Sequence, residues 1–141
     1  MRILVINGPN LNLLGIRETN IYGSQTYEDL LAYIQSAGAE LGAQITCFQS
    51  NHEGVIVDKI QSALETFDGI IINPAAYTHT SVAILDALKA VALPTVEVHL
   101  SDVCAREDFR KISFIRHACL ATFSGHGFAG YRMAIEKLME K

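Results

Sequence analysis

Arg2-Ile3-Leu4-Val5-Ile6-Asn7 is the stretch on which the fold turns. Four consecutive aliphatic residues, with no polar alternation, read as a strand covered on both faces, which is the habit of a parallel sheet. Outward from it, similar apolar runs predict strands over residues 2–7, 44–49, 69–73, 95–100 and 118–124. Helical periodicity falls between them, over 27–41, 53–64, 81–91 and 129–140. Ser50-Asn51-His52-Glu53 has the spacing of a capping box at the start of the second helix. The charged connection 101–117 is expected to hold only a short helical turn.

Strands alternating with helices five times predict an α/β, flavodoxin-like, doubly wound five-stranded parallel sheet with helices on both faces. A chain of 141 residues, half of them apolar, suffices for one domain spanning 1–141. Three cysteines, an odd number without a C-x-x-C pair, argue for reduced thiols. The opening residues carry no basic region, h-region or cleavage site, so a cytoplasmic location is expected. No run approaches a membrane span, and a formal charge of -4 without a basic cluster argues against nucleic acid as a partner. A small-molecule substrate is the expected partner.

In a doubly wound sheet, ligands bind beyond the carboxyl ends of the strands, at the point where strand order reverses. The loop over 8–25 is long for such a domain, and loops of that length are usually lids or binding loops. It carries Asn10, Arg17 and Tyr22, the last two bracketed by Gly15 and Gly23. A guanidinium near a phenol favours the phenolate and would make Tyr22 a usable base, although an ordinary surface loop would look the same. Strand three ends in Asn73 and leads to His79, which sits among hydroxyls that would serve equally as helix caps.

His99 ends strand four, with Glu97 two residues earlier on the same face, placed to fix the imidazole tautomer. The pair suits proton donation to a leaving group, and equally a histidine bonded within the core. Leu100 and Ser101 follow. Arg106 and Arg110, four apart, would share a face of a helical turn and grip a carboxylate, unless Glu107 or Asp108 claims one of them.

The sequence has no G-x-S-x-G elbow, no P-loop and no close metal-ligand spacing, and it is too short for a β/α barrel with a Schiff-base lysine. What remains is acid–base chemistry without cofactor or metal on a small polar carboxylate. Proton abstraction next to a carbonyl with loss of water fits that set.

Asn7-Gly8-Pro9-Asn10-Leu11-Asn12-Leu13-Leu14-Gly15, Arg17, Ile21-Tyr22-Gly23, Asn73-Pro74, Thr78-His79-Thr80-Ser81 and Glu97-Val98-His99-Leu100-Ser101 together resemble the type II 3-dehydroquinate dehydratases, from first strand to last helix. The resemblance implies dehydration of 3-dehydroquinate to 3-dehydroshikimate by anti elimination through an enolate, without cofactor or metal. It implies Tyr22 as base, Arg17 as the residue keeping it ionised, His99 as acid and Asn10 as holder of the water that stabilises the enolate. Substrate contacts fall on Asn73, His79, Leu100, Ser101 and Arg110. Asp86, two helical turns beyond His79 and so roughly 10 Å away, is implied to serve a neighbouring subunit in trimers assembled into a dodecamer.

Thr19, Ala75, Leu85, Asp102 and Cys104 depart from the commoner family residues. None is a catalytic position, although Ala75 puts a Cβ where glycine is usual. The competing class is a non-catalytic flavodoxin-like module that binds a metabolite or flavin or acts as a signal receiver. Its phosphate loop and acidic strand ends are not found in this sequence.

Overall fold

Aliphatic side chains at successive positions of a strand need cover on both faces, and helices provide it here. The computed structural model describes residues 1–16 and 24–140. Its strands are β1 (Arg2–Asn7), β2 (Gln44–Gln49), β3 (Gly69–Asn73), β4 (Thr95–His99) and β5 (Ala121–Ser124). They form one five-stranded sheet in the order β2-β1-β3-β4-β5, and every pairing is parallel. The chain leaves β1 toward β2 on one side and returns to β3 on the other, so the strand order reverses beside β1.

The alternation of β1 assigns its side chains to two cores. Ile3 and Val5 pack with Leu30 and Ile34 of α1 (Tyr27–Leu41) and with Tyr131 and Ile135 of α4 (Ala129–Leu138). Leu4 and Ile6 face the other way, onto Ile56 and Ile60 of α2 (Glu53–Ser62) and Ile84 and Leu88 of α3 (Val82–Val91). Each buried aliphatic contributes about 1.5–3 kcal/mol of transfer free energy, so both layers are needed. Among the described residues no helix is long and apolar enough to cross a membrane.

The differences from the predicted elements lie at their ends. The fourth strand stops at His99, and Leu100 begins the loop. The fifth starts at Ala121, because Ile115–Ala118 forms a 3₁₀ turn and Leu120 is 61% exposed. α2 ends at Ser62 and α4 at Leu138, while Ser81 serves as N-cap of α3 rather than its first residue. The capping box is at α1, where Thr26 Oγ1 accepts from Asp29 N at 3.1 Å and Asp29 Oδ2 accepts from Thr26 N at 2.9 Å. At α2 the N-cap is His52, without a side-chain cap, and Ser50 Oγ accepts from His52 N within a turn. The connection after β4 holds three 3₁₀ turns, Val103–Ala105, Asp108–Lys111 and Ile115–Ala118.

Candidate active site

All strands of a parallel sheet present their carboxyl ends at one edge, so the residues ending β1, β3 and β4 meet there. A cleft of about 340 Å³ opens at that edge. Pro9, Asn10 and Leu11 line it from the loop after β1, and Asn73, Ala75, Ala76 and His79 from the turn after β3. The segment after β4 contributes His99, Leu100, Ser101, Val103, Arg106 and Arg110. Two histidines and two arginines gather in one cleft of a chain whose formal charge is -4. Such a concavity favours an anionic ligand.

Glu97 and His99 share a face of β4, as their spacing demands, and His99 Nε2 is hydrogen-bonded to Glu97 Oε2. Glu97 is fully buried, yet Thr78 Oγ1 donates to it at 2.6 Å and Ser113 Oγ at 3.0 Å. Burial pushes the Glu97 pKa up, but the hydrogen bond and charge of His99, with the Thr78 and Ser113 hydroxyls, outweigh it and hold the carboxyl below its ordinary value. An ionised carboxylate accepts at all its sites, so Nε2 carries a proton toward it. Nδ1 is therefore the ring nitrogen that Glu97 does not engage.

His79 ends the 3₁₀ turn Ala75–His79, and its Nδ1–H donates to the Ile112 carbonyl at 2.6 Å. Burial pushes its pKa down, and the charges of His99 and Arg110 act the same way, against the Ile112 hydrogen bond and Glu97. These effects favour the neutral ring, in which Nε2 is an acceptor. The neighbouring hydroxyls divide their duties: Ser81 Oγ caps α3 by accepting from Ile84 N at 2.9 Å, while Thr78 serves Glu97.

The turn begins at Ala75 in the left-handed region, with φ 52°. Asn73 Oδ1 accepts from Ala75 N at 3.2 Å and supports that conformation. The Cβ that distinguishes Ala75 from the usual glycine is therefore accommodated at a cost of about 1–2 kcal/mol. Asn73 Nδ2 in turn donates to Tyr131 Oη at 2.9 Å, and Tyr131 donates to Asn7 Oδ1 at 2.7 Å. This buried chain fixes the ends of β1 and β3. Sequence reasoning missed it, and its signals were a polar residue closing each aliphatic strand and a tyrosine on the buried face of α4.

Arg106 and Arg110 both line the cleft but not from one helical turn, since Arg106 falls in the break between Val103–Ala105 and Asp108–Lys111. Arg110 Nε donates to Glu107 Oε2 at 2.7 Å, so the acidic neighbour claims one arginine of the pair. Asp86 lies on the exposed side of α3 and outside this cleft, whereas its neighbour Leu85 is buried in the α2–α3 layer. Asp102 starts the Val103–Ala105 turn by accepting from Cys104 N at 3.1 Å. Arg17, Thr19 and Tyr22 lie outside the described residues. Among the described residues no three His, Cys, Asp or Glu side chains converge as a metal site would require.

Fold and cleft together place a polar concavity at the switch point of a flavodoxin-like sheet, where doubly wound proteins bind their ligands. The dehydroquinase class II family model matches residues 1–139, and the chain belongs to that family. It is 56% identical to a 3-dehydroquinate dehydratase of Clostridium perfringens, covering 100% of this chain and 99% of that protein. The corresponding protein of Caldicellulosiruptor bescii is 58% identical, covering 99% of this chain and 97% of its own length. Among solved structures, the type II dehydroquinase of Butyrivibrio crossotus superposes with a TM-score of 0.97 at 52% identity, covering 99% of this chain and 98% of that one.

Proposed function

We propose that this protein catalyses the reversible anti elimination of water from 3-dehydroquinate, giving 3-dehydroshikimate through an enolate in the shikimate route to aromatic amino acids. The observation that carries the reading is the Glu97–His99 pair opening into a cleft whose other polar groups come from separate strand ends. More than half the residues are shared with proteins named 3-dehydroquinate dehydratase.

In this reading Tyr22, kept ionised by Arg17, removes the proton next to the ketone. The electron pair moves onto the ketone oxygen, where a water held by Asn10 stabilises the enolate. The enolate then collapses, the ring hydroxyl departs, and His99 delivers a proton from Nδ1 so that it leaves as water. Glu97 accepts from Nε2 and keeps Nδ1 aimed at the cleft. Asn73, His79, Leu100, Ser101 and Arg110 hold the substrate, with Arg110 toward its carboxylate side and neutral His79 suited to accept from a hydroxyl. No cofactor or metal takes part.

The exposed position of Asp86 supports its service to a neighbouring subunit, in trimers assembled into a dodecamer. The enzyme is assigned to the cytoplasm, in keeping with its cysteine usage.

The reaction is tested by mixing the purified protein with 3-dehydroquinate and following the ultraviolet absorbance of the conjugated enone. Turnover is expected to survive both chelator and borohydride pretreatment. Tyr22→Phe is expected to abolish turnover while leaving substrate binding largely intact; near-normal turnover by that variant would refute the assigned base.

A further inference from the structure

Asn51 belongs to a stretch spaced for a helix cap, yet it does not cap α2. Its Oδ1 accepts from the backbone N–H of Asn10 at 3.0 Å, across 41 residues of sequence, and from Gln49 Nε2 at 3.1 Å. Its carbonyl accepts from the Tyr77 hydroxyl at 2.8 Å. Gln49 Nε2 is also within 3.1 Å of the Gly8 carbonyl. One residue of the β2–α2 loop thus joins two walls of the cleft, the root of the loop after β1 and the 3₁₀ turn that carries His79.

Asn10 is the residue on which this bridge acts. Its φ of 70° lies in the left-handed region, which asparagine enters more readily than other non-glycine residues but still as a minor conformation that a hydrogen bond to its N–H helps to fix. The side chain of a residue follows its backbone, so the N–H that Asn51 holds also sets where the Asn10 amide stands in the cleft. Asn51 is itself exposed, and solvent-accessible hydrogen bonds contribute little net stability because water replaces them when they are lost. Misplacing a catalytic group by 1 Å can cost about a hundredfold in rate. The geometry therefore weighs more on the reaction than on the fold.

We propose that Asn51 is a positioning residue for the dehydration, holding Asn10 in its left-handed conformation so that the enolate-stabilising water has one fixed site. The inference rests on the role given to Asn10 above.

The test uses full-length wild type, Asn51→Ala, Asn51→Asp, Asn10→Ala and the Asn10→Ala/Asn51→Ala double variant, with kcat, KM and Tm measured for each. Asn51→Ala is expected to lower kcat about ten- to a hundredfold, with KM within about twofold and Tm close to wild type. Asn51→Asp, whose carboxylate accepts the same bond, should recover most of the loss. The double variant should be no slower than Asn10→Ala, because both changes act on one group.

An unchanged kcat in Asn51→Ala, losses that multiply in the double variant, or Asn51→Asp as slow as Asn51→Ala would overturn the inference. Should Asn51→Ala fold poorly, Tyr77→Phe releases the other end of the bridge. It is expected to lower kcat several-fold, and a wild-type rate from it would count against the bridge. An inactive wild type would overturn the reaction itself, together with the inference; an active wild type with an indifferent Asn51→Ala overturns the inference alone.

Discussion

Glu97 is the side chain whose replacement should separate chemistry from folding most clearly. Glu97→Ala leaves His99 and the hydroxyls of Thr78, Ser113 and Thr122 without their acceptor, and breaking a buried pair in this way costs about 3–5 kcal/mol. Glu97→Gln keeps the volume but presents an amide N–H to His99, and should cut kcat by about a hundredfold or more. Urea denaturation and turnover assays read the two effects separately. The pH dependence of stability follows from the same group. With its folded pKa below its unfolded value, Glu97 contributes stability that is complete above roughly pH 4.3 and is lost as pH falls through the folded value. His79, also lowered, behaves with the same sign from roughly pH 6.5 downward, because the unfolded chain takes up its proton first. Wild-type stability should therefore decline in two stages on acidification, and Glu97→Gln should lose the lower one. Glu97 and His99 were legible in the sequence because period two puts residues two apart on one face. The hydroxyls of Thr78 and Ser113 were not, since 19 and 16 residues separate them from Glu97 and only the fold brings them near.

At the scale of elements, the four helices and five strands were legible because apolar periodicity follows directly from burial on both faces of the sheet. Their ends were less so. Ala118-Cys119-Leu120 looks like strand by composition, but the backbone turns there and joins the β4 register only at Ala121. The capping motif at 50–53 was read by spacing alone, whereas Asn10, far away in sequence, competes for Asn51. Gly8 has a reason no local pattern reveals. A Cβ there would sit 2.6 Å from the Pro74 carbonyl oxygen, so the two cleft-forming segments approach only because one lacks a side chain. Ala92, beyond the end of α3 with φ 55°, is strained without any link to the cleft. Ala92→Gly should stabilise the protein by about 0.5–1 kcal/mol, seen as a higher Tm, with kcat unchanged.

For the molecule as a whole, the cleft was legible where strand ends supply it, and Asp86 was not legible as part of it. Asn10, Asn73, His79, His99, Leu100, Ser101, Arg106 and Arg110 come together because the switch point gathers them, whereas Asp86 looks outward. If it completes a neighbour's site, inactive Asp86→Ala and inactive His99→Ala proteins, unfolded and reassembled together, should regain part of the wild-type activity, since mixed oligomers contain some intact sites. No recovery would assign Asp86 to its own protomer's surface. Gly15 carries a different implication. At φ 83°, its absent Cβ would lie 3.0 Å from the Ser24 carbonyl oxygen and 3.1 Å from that of Gln25. The described residues on either side of 17–23 are thus held close together, flanked by the Leu11–Leu13 turn and by the Thr26 cap. Closure entropy grows only slowly with loop length, by about 0.6 kcal/mol for each doubling. Residues inserted between Gly15 and Ser24 should therefore leave Tm almost untouched while destroying turnover. A lengthened loop that kept the wild-type Tm and lost turnover would tie the segment carrying Arg17 and Tyr22 to catalysis rather than to the scaffold.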